Sequence, residues 1–112
     1  MNNKNSTAII YTRVSANSTV RKDDSLQAQA RTCQEYCDRK GISVKKTFCD
    51  QGVPGISRNR MYQLIKYCKR LVPSFLVVTS IDRLNRDVDV QKNITDQLSR
   101  IGTIIRSVNE TN

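Results

Sequence analysis

The segment Phe75-Leu76-Val77-Val78-Thr79-Ser80-Ile81 constrains this chain more than any other, because it is nearly continuous in apolar and β-prone residues. A strand with one wet face shows a polar residue at every second position. A run without that alternation is the mark of a strand covered on both faces, as in parallel sheets packed between helices. The rest of the chain is therefore read for the helices that would supply both covers.

Residues Ala8 to Val14 are short and β-prone and read as a first buried strand, followed by a polar loop that includes Arg21-Lys22-Asp23-Asp24. A helix follows, with Leu26, Ala30, Cys33 and Cys37 on one face. Asp24 or Ser25 can cap it, and Gly41 stops it. Ile42 to Cys49 reads as a second strand, and Asp50 to Ser57 as a turn-rich loop. A second helix spans about Asn59 to Leu71, with Met61, Leu64, Ile65, Cys68 and Val72 on its apolar side and Pro73 blocking its continuation. The apolar run from Phe75 is the third strand. A third helix covers Val88 to Ile101 and ends at Gly102, and Thr103 to Val108 is a fourth strand. The alternation implies an α/β three-layer sandwich, with a mostly parallel central sheet of four to five strands flanked by helices. The polar ends, Met1 to Thr7 and Asn109 to Asn112, are expected to fray.

The chain has 112 residues, which fits one small domain. Nineteen Lys and Arg against ten Asp and Glu give a net charge of +9, which favours a polyanionic partner. No apolar run reaches the roughly 18 residues needed to span a bilayer, so nucleic acid is the better partner than a membrane. The four cysteines, Cys33, Cys37, Cys49 and Cys68, lack CxxC spacing and read as reduced core residues of a cytoplasmic protein. The chain contains no histidine, which excludes Ser-His-Asp, Cys-His and histidine-based metal chemistry. Acid–base work falls to Asp, Glu, Arg, Lys, Tyr or water.

In open parallel sheets, functional groups gather beyond the carboxyl ends of the strands. Arg13 and Ser15 follow the first strand, Asp50 the second, and Asp82, Arg83 and Arg86 the third; Arg58 and Arg60 lie close enough to join them. Planar guanidinium groups match a phosphodiester with paired donors and stay charged at all relevant pH. Serine is a weak nucleophile that needs a base or a strong positive field, and the arginines supply the field. On this reading Ser15 is a nucleophile toward a DNA phosphate, Asp82 holds arginines in place, and Asp50 orients another or accepts a proton.

Tyr11-Thr12-Arg13-Val14-Ser15, then Ser25-Leu26 with Gln29, Asp50, the Gly52 to Ser57 stretch, Arg60 and Asp82-Arg83-Leu84-Asn85-Arg86 together resemble the serine recombinases, the resolvase/invertase family. The resemblance covers about residues 8 to 110. It implies a metal- and ATP-independent recombinase in which Ser15 attacks a phosphodiester to leave a 5′-phosphoserine and a free 3′-hydroxyl. Arg13, Arg83 and Arg86 would bind and activate the phosphate, with Arg83 best placed to protonate the leaving 3′-oxygen. Gln29, Asp50, Arg60 and Asp82 would support them, and a lysine of the second helix, Lys66 or Lys69, is a further candidate. No cofactor and no metal are implied.

Two features depart from the family pattern. Ser80 stands two residues before Asp82, where many relatives carry a basic residue. The stretch Asn17 to Asp24 is longer than in small resolvases and looks more like the large serine recombinases. Relatives continue into a dimer-forming helix and DNA-binding domains. The expectation for residues 1–112 is thus a single catalytic domain, monomeric and nearly inactive alone, from a parent that forms dimers and a synaptic tetramer. Two competing readings are a carboxylate-based metal nuclease built on Asp50 and Asp82, and a receiver-like or nucleotide-binding domain. The excess of arginine at the same edge argues against the first. A receiver needs an acidic pair after its first strand, where this chain has Arg13 and Ser15.

Overall fold

The computed structural model describes residues 5–15 and 25–110. Within them, four strands and three helices alternate: β1 (Thr7–Val14), α1 (Leu26–Lys40), β2 (Ser43–Gln51), α2 (Arg58–Leu71), β3 (Phe75–Val78), α3 (Val88–Ile101) and β4 (Ile104–Ser107). Short 3-10 turns at Ile81–Arg83 and Val108–Glu110 follow β3 and β4. The sheet is parallel throughout, in the order β2-β1-β3-β4. No helix among the described residues is long and apolar enough to cross a membrane.

Both faces of the two central strands are covered, as the apolar run predicts. Ala8 and Ile10 of β1 and Phe75 and Val77 of β3 pack against Cys33, Tyr36 and Cys37 of α1. Their alternates Ile9, Tyr11, Leu76 and Val78 pack against Leu64, Ile65 and Cys68 of α2 and Ile94 and Leu98 of α3. One helix therefore lies on one face and two on the other. The cysteines Cys33 and Cys68 are fully buried, and burial pushes the Cys33 thiol up to about 12 and that of Cys68 up to about 11.

Local chemistry sets each helix. Ser25, rather than Asp24, caps α1 by accepting from the Ala28 N–H at 3.0 Å, and Gly41 closes it in the left-handed conformation at φ 70°. Ser57 caps α2 through the Arg60 N–H, and Asp87 caps α3 through the Asp89 N–H.

Four expectations need correction. β3 ends at Val78, because Thr79 and Ser80 lead out of the sheet and Ile81 opens a 3-10 turn. Val72 does not join the apolar side of α2. Pro73 bars its residue from continuing the right-handed helix, so Val72 caps α2 at φ 45° with 52% of its surface exposed. Cys49 is exposed, since β2 is an edge strand on which Phe48 alone is buried. Thr7, Asn109 and Glu110 are not frayed: Thr7 opens β1 and its carbonyl accepts from the Ser74 N–H, the Asn109 N–H donates to the Thr79 carbonyl at 2.8 Å, and Glu110 accepts from the Ile81 N–H. The stretch Asn17 to Asp24 and the residues 1–4 and 111–112 lie outside the described residues.

Candidate active site

The pairing of β1 with β3 reaches only Ile10, three residues short of Arg13. Beyond that point the Arg13 backbone finds another partner. The side chain of Gln29 on α1 accepts from the Arg13 N–H at 3.2 Å and donates to the Arg13 carbonyl at 3.0 Å. Gln29 is 1% exposed, so this amide stands in for a missing strand at a place water does not reach. That buried pairing explains why a glutamine sits on the inner face of α1.

The Arg13 side chain is itself buried, and each of its three nitrogens donates to a main-chain carbonyl. Nε donates to the Arg83 carbonyl at 2.7 Å, Nη2 to the Asp82 carbonyl at 2.9 Å and Nη1 to the Val53 carbonyl at 2.9 Å. Three segments distant in sequence are thereby tied to the end of β1. Burial lowers the Arg13 pKa, and the like charges of Arg83 and Arg86 push it the same way, while Tyr11 and Asp50 oppose them. Arg83 closes the circle: its Nη1 donates to the Arg13 carbonyl at 3.4 Å.

The turn-rich loop after β2 is a docked strap. The Gly52 N–H donates to the Val14 carbonyl, the Ile56 N–H to the Leu84 carbonyl, and Ile56 and Leu84 are both buried in the core on the α2 and α3 side. Gly55 lies so close to Asn85 that an added Cβ would fall 2.5 Å from its side-chain nitrogen. Any larger residue there would have to push the Asn85 side chain aside, a demand set by contact and not by backbone angle.

A second cluster sits alongside. Asp50, paired with Arg13 across the β1–β2 ladder, accepts from the Tyr11 hydroxyl at 2.6 Å and from Arg60 Nε at 2.9 Å. Both carboxylate oxygens are engaged, which leaves Asp50 poorly placed to be half of a two-carboxylate metal site. Arg60 is held further by Gln63 and by the face of Phe48, whose ring centre lies 5.3 Å from its guanidinium. Burial, with the bond to Asp50, raises the Tyr11 pKa, so the phenol is a neutral donor. Sequence reasoning quoted Tyr11 only as part of a motif. Its position two before Arg13 on one face of β1 is the signal that it would reach the same cluster.

The remaining candidates divide. Ser15 directly follows β1 and is half-buried, one residue beyond the Val14 carbonyl that anchors the strap. Arg86 is exposed in the bend between the 3-10 turn and α3. The Asp82 side chain is exposed, and it is the Asp82 carbonyl, not its carboxylate, that holds Arg13. Ser80 makes no side-chain capping bond to the turn that follows it. Lys66 and Lys69 are not part of either cluster; they line a groove with Tyr62 and Gln97 between α2 and α3.

The model of the family described as "Resolvase, N terminal domain" matches residues 8–112, nearly the whole chain. The chain belongs to the resolvase family of serine site-specific recombinases. Among solved structures, this recombinase is similar to the N-terminal catalytic domain of TP901-1 integrase. The TM-score is 0.80 at 27% identity, over 93% of this chain and 78% of that one. It is also similar to the C-terminal catalytic domain of ISC1926 TnpA, an IS607-like serine recombinase, with TM-score 0.76 at 26% identity over 94% and 71% of the two chains. A resolvase-family site-specific recombinase from Streptococcus pneumoniae shares the fold, with TM-score 0.79 at 19% identity over 94% and 73%. No curated protein sequence matches the chain. In this recombinase domain, the strap, the turn after β3 and the end of β1 form one bonded unit around Arg13.

Proposed function

We propose that Ser15 is the nucleophile of this recombinase and that Arg83 and Arg86 bind the DNA phosphate it attacks. In the reaction the Ser15 Oγ–phosphorus bond forms and the bond to the 3′-oxygen breaks. A 5′-phosphoserine and a free 3′-hydroxyl result: the leaving oxygen takes a proton from Arg83, and the proton released by the Ser15 hydroxyl passes through water to restore the guanidinium. Reverse attack by a 3′-hydroxyl from another strand restores the phosphodiester and the serine, so no metal or ATP is consumed. The supporting observation is the placement of Arg83: its guanidinium donates to the carbonyl two residues before Ser15.

Arg13 serves this reading from beneath. Three of its five side-chain N–H groups are committed to the carbonyls of Val53, Asp82 and Arg83, so it carries positive field to the site and fixes the turn bearing Arg83. Gln29 holds Arg13, and Asp50 holds Arg60 at the same edge. Residues 8–110 act as one catalytic domain, and recombination proceeds through dimers that join in a synaptic tetramer on DNA. The test is a suicide substrate carrying a nick that traps the cleaved strand. A covalent protein–DNA adduct that disappears in Ser15→Ala supports the assignment; one that persists in that variant overturns it.

A further inference from the structure

The turn Ile81–Arg83 is three residues long and opens after Ser80, whose side chain does not cap it. Its first N–H is met from elsewhere. Glu110 Oε1, 29 residues along the chain, accepts from the Ile81 N–H at 3.0 Å. The same oxygen accepts from the Ser107 hydroxyl at 2.5 Å, which steadies the carboxylate. The exit from β4 is also pinned near the turn, because the Asn109 N–H donates to the Thr79 carbonyl at 2.8 Å. At the far end of the turn, Arg13 takes the carbonyls of Asp82 and Arg83. The N–H end thus meets a carboxylate and the carbonyl end a guanidinium, the arrangement that the peptide dipoles favour at both ends.

We propose that Glu110 is a positioning residue for Arg83, holding the turn after β3 so that the Arg83 guanidinium stays against the end of β1. The inference rests on the assignment of Arg83 to the DNA phosphate. Glu110 is exposed and contributes nothing to either apolar core, so its role in the turn is separable from core packing. The bonds from Ser107 and the Ile81 N–H hold its carboxyl below the usual glutamate range, which keeps it ionised throughout the neutral region.

The experiment measures single-turnover adduct formation on the suicide substrate by the natural protein at saturating DNA. Glu110→Ala is expected to slow the rate constant roughly tenfold or more, the scale on which small displacements of a catalytic group act. The half-saturating DNA concentration and the final adduct yield should stay as in the wild type. Glu110→Gln, which keeps an oxygen acceptor for Ile81, should recover part of the rate. A mere loss of folded protein would lower the yield and leave the rate constant alone, and that result overturns the proposal. So does a wild-type rate constant in Glu110→Ala. Should Glu110→Ala not fold, a Glu110→Gln variant whose Ile81 amide hydrogen exchanges faster while the rate constant stays at the wild-type value overturns it. Ser15→Ala run in parallel keeps the two ideas apart: an adduct lost in Ser15→Ala but indifferent to Glu110 defeats the positioning role alone.

Discussion

Gln29 and Arg13 are joined twice, the glutamine amide accepting from the arginine N–H at 3.2 Å and donating to its carbonyl at 3.0 Å, both out of contact with water. Removing that amide deprives the buried Arg13 N–H of its side-chain acceptor and leaves the carbonyl with the longer bond from Arg83, and an unsatisfied buried group costs about 1–3 kcal/mol. Gln29→Met, which preserves volume, is expected to destabilise the domain by about that amount or more, read as a lower urea midpoint with an unchanged slope. A midpoint equal to wild type would show that the Arg13 backbone finds other partners.

Arg83 and Arg86 should separate by what their loss does. On the proposed chemistry, Arg83→Lys keeps the charge but loses the planar fork, and adduct formation should fall by about 10²–10³ with DNA affinity little changed. Arg86→Ala, at an exposed bend, should weaken DNA binding and flatten its dependence on salt by about one phosphate contact. Titrating DNA binding at several salt concentrations measures the second effect; an unchanged slope in Arg86→Ala excludes that contact.

The thiols give a chemical test of the fold. Cys33, Cys37 and Cys68 are buried, and burial pushes them up to about 12, 11 and 11, whereas Cys49 is exposed. Alkylation of the native domain near pH 8 is expected to mark Cys49 alone, and all four after denaturation, as read by mass spectrometry of peptides. The shifts also set a direction for stability. A thiol raised by burial favours the folded state fully below its unfolded value of 9.0, and that advantage drains away as the pH climbs toward about 12. Urea midpoints should fall across that alkaline window. Labelling of Cys33 as fast as Cys49 would contradict the packing of α1.

Val72 offers a gain. A β-branched residue in the left-handed conformation is strained by roughly 1–2 kcal/mol, and asparagine tolerates that conformation better. Val72 is half-exposed, so little packing is lost on replacement. Val72→Asn is expected to raise stability by about 1 kcal/mol in urea titration. A drop instead would mean that its contact with the Gly102 region carries more than the strain it relieves.

The central strands were legible because a strand covered on both faces cannot hide its composition, and Phe75 to Val78 shows four buried residues in a row. Three helix ends were legible because Ser25, Gly41 and Gly102 are read one residue at a time, whereas the caps Ser57 and Asp87 emerged only with the structure. The edge strand was not, since whether Cys49 is covered depends on which strands neighbour β2, a fact of topology. At the site, sequence pattern picked out Arg13, Gln29, Asp50, Arg60 and Arg83, and the structure bonds them into two adjoining clusters. What it could not supply was the use of main-chain atoms. The carbonyls of Val53, Asp82 and Arg83 hold Arg13, and a carbonyl has no signature in a sequence. The bond from the Ile81 N–H to Glu110 was hidden in the same way.

The side chain of Arg13 binds carbonyls 40, 69 and 70 residues further along the chain. Contacts of such long range form late, because the intervening chain must first be ordered. During synthesis, Ser15 therefore leaves the ribosome well before the turn that carries Arg83 exists. On the proposed chemistry, a nascent or misfolded chain holds a harmless hydroxyl, and the power to break DNA arrives only once the sheet has closed.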